Sequence, residues 1–196
     1  DPETNTWRQM DDFKGGARYY ALGFGIDNYG YVGTGYNDNY LKDFYRFDPT
    51  AAAGSQWTIV NGFGGQKRQG ATAFVIDGKA YVCGGQNNNS DVSDFWRFDP
   101  SAATPWTQLR DIANTSDDDY DDDYNSITRT YGCAFVIDGQ AYITLGQTSG
   151  SSLRNNYWIY DPNTDLWRSS DTEDDFDYTP FEGSARTKAI CFSTGK

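Results

Sequence analysis

From Gly70 to Cys83 the run of apolar positions, broken once by polar ones, reads as two strands and a tight turn. Gly70 to Ile76 is a run of small, β-branched and aromatic residues, and Lys79 to Cys83 returns in kind. Asp77-Gly78 stands between them, a strong short-range hairpin signal because a type I′ turn needs positive φ at both central positions. Gly84-Gly85 closes the second strand, where the chain must bend or another backbone must approach. No window carries a sustained helical period, and no apolar run reaches membrane-spanning length.

The pattern recurs. Arg18, Arg68, Arg129 and Arg186 each open such a unit, with a period of about fifty residues. The aromatic column is Phe24, Phe74, Phe135 and Phe192, the turns are Asp27-Asn28, Asp77-Gly78 and Asp138-Gly139, and the return strands carry Tyr31, Tyr81 and Tyr142. A third strand follows each hairpin, in LKDFYRFDP from Leu41, VSDFWRFDP from Val92 and RNNYWIYDP from Arg154. Asp1-Pro2, Asp48-Pro49, Asp99-Pro100 and Asp161-Pro162 are turns, each followed by a fourth strand with Trp7, Trp57, Trp106 or Trp167. Four short strands cannot bury both faces of their sheet alone, and packing such sheets radially about an axis solves that.

Four strands with Gly-Gly closing the second, Tyr and Asp-Pro on the third and Trp on the fourth resemble the kelch repeat, over essentially the whole chain. Gly84-Gly85 matches the family's double glycine, whereas Gly33-Thr34-Gly35 and Leu145-Gly146 depart from it and put the bend of those blades in question. The wording is closest to kelch proteins of the bacterial cell envelope. The resemblance implies an all-β, kelch-type β-propeller, present in part: blades over 16–65, 66–126 and 127–181, the last strand of a preceding blade in 1–15 and the first strand of the next in 182–196. End strands of this kind cannot close a ring by themselves, so the missing blades are expected from the rest of a parent chain or from another chain. Without an initial Met or a visible signal peptide, the chain reads as a mature or excised segment.

Composition narrows the chemistry. A net charge of −12 argues against nucleic acid or an anionic membrane as the main partner. The chain has no His, which removes His-dependent triads, His-liganded zinc and the copper site of kelch sugar oxidases. Cys83, Cys133 and Cys191 fit no zinc spacing and lie in strand-like runs, so all three are expected to be buried free thiols.

Kelch propellers usually bind ligands at the channel mouth, where the fourth-to-first and second-to-third loops meet. Here the second-to-third loops are Tyr36 to Tyr40, Gln86 to Asp91 and Gln147 to Ser152. Arg18, Arg68, Arg129 and Arg186 are expected as an arc near the mouth. They either hold carboxylates of a ligand or, the favoured reading, bond carbonyls or an Asp of the adjacent blade. Two positions on, Tyr20, Gly70, Tyr131 and Lys188 vary as ligand contacts do. The Trp columns are expected between blades. Asp117, Asp119, Asp121 and Asp123 alternate in an acidic insertion and are the candidate calcium ligands, although the glycine of a sharp calcium loop is missing and a solvated charge run is the plainer reading. The resulting expectation is a secreted or cell-envelope binding module for a protein or glycan, without an obligatory cofactor. The alternative is a glycan-processing enzyme that uses carboxylates and Tyr.

Overall fold

The computed structural model describes residues 1–112, 127–169 and 182–193. The first sheet contains β1 (Leu22–Ile26), β2 (Tyr29–Gly33), β3 (Phe44–Phe47) and β4 (Trp57–Val60). The second contains β5 (Thr72–Ile76), β6 (Lys79–Cys83), β9 (Phe95–Phe98) and β10 (Trp106–Gln108), with a small hairpin of β7 (Gln86–Asn87) and β8 (Ser90–Asp91) in its second-to-third loop. The third contains β11 (Cys133–Ile137), β12 (Gln140–Thr144), β13 (Tyr157–Asp161) and β14 (Leu166–Arg168). Each is an antiparallel meander in spatial order first to fourth, and β5 lies beside both β1 and β11. The fold is an all-β propeller arrangement of successive blades about inner strands. No helix among the described residues is long and apolar enough to cross a membrane.

The first hairpins repeat down to ring geometry. Phe24 pairs with Tyr31, Phe74 with Tyr81 and Phe135 with Tyr142, and each pair stacks with ring centroids 5.1, 5.2 and 5.4 Å apart. The turns take positive φ at Asp77 and Gly78 and at Asp138 and Gly139, as the Asp-Gly signal requires.

Strand alternation sends side chains into two cores. Ala80 and Val82 of β6 face blade one, with Leu22, Ile26, Phe44, Phe98 and Trp106. Tyr81 and Cys83 of the same strand face blade three, with Phe95, Ile143, Trp158, Tyr160 and Trp167. Trp106, Trp158 and Trp167 thus fill the spaces between blades, as expected from their columns.

The departures from Gly-Gly do not alter the bend. Thr34, Gly84 and Leu145 have φ of 56°, 64° and 59°, followed by Gly35, Gly85 and Gly146 at 99°, 89° and 87°. In blades one and three the first position carries a side chain in the left-handed region, as Thr34 and Leu145, whereas at Gly84 an added Cβ would meet the Arg129 carbonyl oxygen. The second brings its N–H to the next blade: Gly35 donates to Arg68 O, Gly85 to Arg129 O and Gly146 to Arg186 O, each at 2.8 Å.

Among the described residues, 1–15 and 182–193 carry no strand ladder. Trp7 is 99% exposed, whereas Phe13 packs on Tyr45 and Trp57 of blade one.

The Asp-Pro turns share one device. Asp48 Oδ1 accepts from Thr50 N and Oγ1, Asp99 Oδ1 from Ser101 N and Oγ, Asp161 Oδ1 from Asn163 N, and Asp1 Oδ1 from Glu3 N. Such Asx turns fix the corner before the fourth strand. The Thr50 hydroxyl lowers the Asp48 pKa, the Ser101 hydroxyl that of Asp99 and the Asn163 amide that of Asp161, all from 3.8. Because these folded-state values lie below the unfolded ones, their stabilisation is present above about pH 4 and is lost as pH falls through the folded values. A thermal midpoint that drops below about pH 4 is expected, and Asp99→Ala should flatten part of that drop in a pH series of melting curves.

Candidate functional site

The mouth of the fold is built where each inner strand begins. Tyr20, Gly70, Tyr131 and Lys188 all hold positive φ, at 54°, 64°, 56° and 60°. This kink aligns their peptide groups from blade to blade: Gly70 N donates to Tyr20 O at 3.0 Å, Tyr131 N to Gly70 O at 2.8 Å and Lys188 N to Tyr131 O at 3.2 Å. A relay of backbone hydrogen bonds therefore runs around the hub and carries the column as a rigid set.

Three of the four side chains converge. Gly70 offers no side chain, and a Cβ there would lie 2.5 Å from the Tyr131 ring. The ring of Tyr131 passes through that gap to Tyr20, with centroids 4.7 Å apart. Lys188 Nζ lies 4.7 Å from the Tyr20 ring centre and 5.0 Å from that of Tyr131, and donates to Tyr20 Oη at 2.8 Å. That hydrogen bond fixes the ammonium at the Tyr20 hydroxyl, within reach of both rings. Burial raises the Tyr131 phenol to about 12, with neighbouring Tyr20, Tyr40 and Tyr19 adding to the shift, so it is neutral at physiological pH.

The aromatic surface extends outward over blade one. Tyr19 packs edge-on against Tyr20 at 4.9 Å and against Tyr36 at 5.4 Å, and Tyr36 meets Tyr40 at 5.0 Å. Tyr19 is 53% exposed, so the strip is open to solvent. Bridges Tyr19 to Tyr36, Gln69 to Gln86 and Thr130 to Gln147 tie each strand entry to its own second-to-third loop. The loops also join one another: Ser149 N and Oγ both donate to the Asp91 carboxylate. The expected meeting of strand entries and second-to-third loops at one end is thus present, and Tyr19, Tyr36 and Tyr40 join the sequence-derived set.

The Arg column sits differently from an open arc. Arg68 is 0% exposed and Arg129 2%. In each complete blade Nε donates two residues back, to Gly16 O, Gln66 O or Ile127 O, and Nη1 donates to the carbonyl at the bend, Thr34 O, Gly84 O or Leu145 O. Arg18 also bonds Asp43, Arg68 bonds Asp94 and Arg129 bonds Asn156. The carboxylate partner comes from the same blade, not the adjacent one. What reaches the neighbouring blade is the Arg backbone carbonyl, which accepts the glycine N–H. These three guanidinium groups are consumed inside the fold, because the bend leaves carbonyls pointing inward that need donors. Burial, then the charge of Arg154, lowers Arg129 to about 10, which leaves it protonated near neutral pH. Arg186 is exposed and donates Nε to Ser184 O.

One cysteine expectation holds and two are corrected. Cys83 is a buried thiol, and desolvation raises it to about 12, so it packs as a small hydrophobe. Cys133 and Cys191 form a disulfide, with Cα atoms 5.5 Å apart. Cys133 stands four positions after Arg129 and Cys191 five after Arg186, on opposite faces of consecutive inner segments. Their counterparts one repeat pair earlier, Leu22 and Ala73, share a core cluster. Facing columns bring the two sulfurs together across the blade boundary.

Asp117, Asp119, Asp121 and Asp123 lie outside the described residues. Among the described residues no group of three His, Cys, Asp or Glu is placed to hold a metal ion.

No curated protein matches the chain. The solved structure titled "Structure of YjhT" superposes with a TM-score of 0.66 at 18% identity, covering 92% of this chain and 57% of that one. At that identity the likeness concerns the fold, and this chain spans a little over half the length of that structure. A family model described as the KLHDC2/KLHL20/DRC7 Kelch-repeats domain matches residues 1–185. The hairpin columns, the hub relay and that match together make the chain a member of this kelch-repeat family.

Proposed function

We propose that the chain is a non-catalytic binding scaffold that presents its loop face to a protein partner, with Tyr20, Tyr131 and Lys188 at the centre of the contact. The observation that carries this reading is the exposed cation–tyrosine cluster held by a rigid backbone relay. Tyr supplies large, stiff contact area at low entropic cost, which is why it concentrates at binding hot spots. A pull-down comparing the wild type with Tyr20→Ala/Tyr131→Ala tests it. The partner retained by the wild type should bind the variant at least ~30-fold more weakly, with an almost unchanged melting temperature. Equal retention would sink the reading. A glycan array with a calcium titration is the second arm. A glycan signal that also depends on Tyr20 and Tyr131 would replace the protein partner, and calcium dependence lost on neutralising Asp117 to Asp123 would support a metal there.

A secreted or cell-envelope location is part of the proposal. It is supported by the Cys133–Cys191 bond, since disulfides persist in oxidising compartments. Assembly supplies a second reading. Phe135, Tyr142 and Leu145 of blade three line a cleft of about 730 Å³ with Ile190, which is 90% exposed. We propose that further kelch strands, from a longer chain or another chain, fill that cleft as Ile143, Trp158 and Tyr160 fill the space beside blade two.

A further inference from the structure

The small hairpin of blade two ends in residues that the binding reading does not use. Asn88 and Asn89 are its two central residues, with φ of 48° and 62°, and Ser90 opens the return strand opposite Asn87. Positive φ at both central positions is the type I′ turn, which asparagine tolerates better than most side chains. Asn88, Asn89 and Ser90 are all exposed, and no hydrogen bond among the described residues takes up their side chains. Blade two has a blade on each side, since β5 packs beside both β1 and β11, so its loop is exposed in a filled surrounding. The base of the hairpin is held. Gln69 bridges to Gln86, Gln86 pairs with Asp91, and the Asp91 carboxylate accepts from Ser149 N and Oγ of blade three. A fixed stem thus presents a bare tip.

Asn, any residue but Pro, then Ser or Thr is the acceptor tripeptide for asparagine-linked glycans. Among the described asparagines only Asn88 has a Ser or Thr two positions on. The matching loops of blades one and three carry Asn37-Asp38-Asn39 and Thr148-Ser149-Gly150 instead. The repeat therefore does not impose this tripeptide. We propose that Asn88 is a glycosylation site, modified with an oligosaccharide in a secretory compartment. The inference rests on the secreted alternative of the location given above. The donor is an oligosaccharide carried on a lipid pyrophosphate. Asn88 Nδ2 attacks the anomeric carbon of its first sugar. The nitrogen–carbon bond forms as the bond from that carbon to the pyrophosphate oxygen breaks. The amide gives up one proton, and the lipid pyrophosphate leaves. Ser90 supplies the hydroxyl that the acceptor requires. The sugar then stands on the loop face, the side of the fold that also carries Tyr20 and Tyr131.

The protein purified from its own source tests this by peptide mass spectrometry, before and after an amidase that removes asparagine-linked glycans in heavy-oxygen water. A glycosylated peptide is expected, whose Asn88 amide the enzyme converts to a heavy-oxygen carboxylate. Thiol alkylation of the same sample reads the Cys133–Cys191 bond. A bare Asn88 beside an intact bond overturns the inference and leaves the secreted location standing. A bare Asn88 beside free Cys133 and Cys191 thiols overturns that location and the inference with it. Asn114-Thr115-Ser116 has the same form but lies outside the described residues, so Asn114→Gln is built into the variants. Secreted from cultured animal cells behind a cleavable leader, the Asn114→Gln chain should run as a band that the amidase lowers by one step. Ser90→Ala, which keeps the Asn88-Asn89 turn, should abolish that step, and Ser90→Thr should retain it. A step that survives Ser90→Ala, or no step in the secreted Asn114→Gln chain, overturns the inference.

Discussion

Arg68→Ala should destabilise the fold by about 3–5 kcal/mol, the cost of breaking a buried ion pair from one side. The guanidinium is fully buried and donates to Gln66 O, Gly84 O and Asp94, and its central carbon lies 5.5 Å from the Phe63 ring centre. Truncation strands a carboxylate that is itself buried, along with inward-pointing carbonyls at the bend. Arg68→Met with Asp94→Leu should cost less than Arg68→Ala alone, because removing both charges leaves neither unpaired. Arg18→Ala makes the graded comparison. Its partner Asp43 has 31% of its side chain exposed, so water can take over part of the lost contact and the penalty should be smaller. Urea unfolding with unchanged slope reads all three. Equal midpoints for Arg68→Ala and the wild type would mean that the column does not hold the blade, and the Arg residues would again be free to serve a ligand.

What the sequence made legible was local. The Asp-Gly hairpins, the Phe–Tyr pairs and the Asp-Pro corners depend on residues within a few positions of one another, so their chemistry could be read directly. The Arg column was legible as a structural element, but its partner was not: Asp94 lies 26 positions from Arg68, and only the fold decides that it belongs to the same blade. The hub column contained a usable hint. A glycine at position 70 among Tyr20, Tyr131 and Lys188 marks a backbone that needs positive φ, and the three side chains adopt it too. The extension through Tyr19, Tyr36 and Tyr40 needed the bridge between a strand entry and a loop, which spacing does not reveal. The disulfide was accessible in principle. Counting an odd number of cysteines hid it, whereas asking which face of each inner segment carries Cys133 and Cys191 would have brought them together. The first position of the bend is Thr34, Gly84 or Leu145 while the second is glycine in all three blades, and that difference can be measured.

Gly85→Ala should destabilise by about 2–4 kcal/mol, although the change adds one methyl group. Gly85 has φ of 89°, beyond the left-handed well that an L-residue tolerates, and its added Cβ would lie 2.8 Å from Gln69 O and 3.0 Å from Ala71 N. Those contacts are backbone, so no side chain can swing away to relieve them. The residue's N–H is also committed to Arg129 O across the blade boundary, so any relaxation that makes room for the methyl pulls on the contact between blades two and three. Gly146 stands in the same position, with its Cβ site 2.8 Å from Thr130 O. The first bend position of blade one gives the control. Thr34 already occupies φ of 56° with a β-branched side chain, so Thr34→Gly relieves backbone strain while loosening the unfolded chain, and its net effect should stay within about 1 kcal/mol. If Gly85→Ala and Thr34→Gly shifted the urea midpoint equally, the second glycine would not be the point where one blade is fastened to the next. A large loss for Gly85→Ala alone would assign the fastening to that single N–H and the backbone conformation that delivers it.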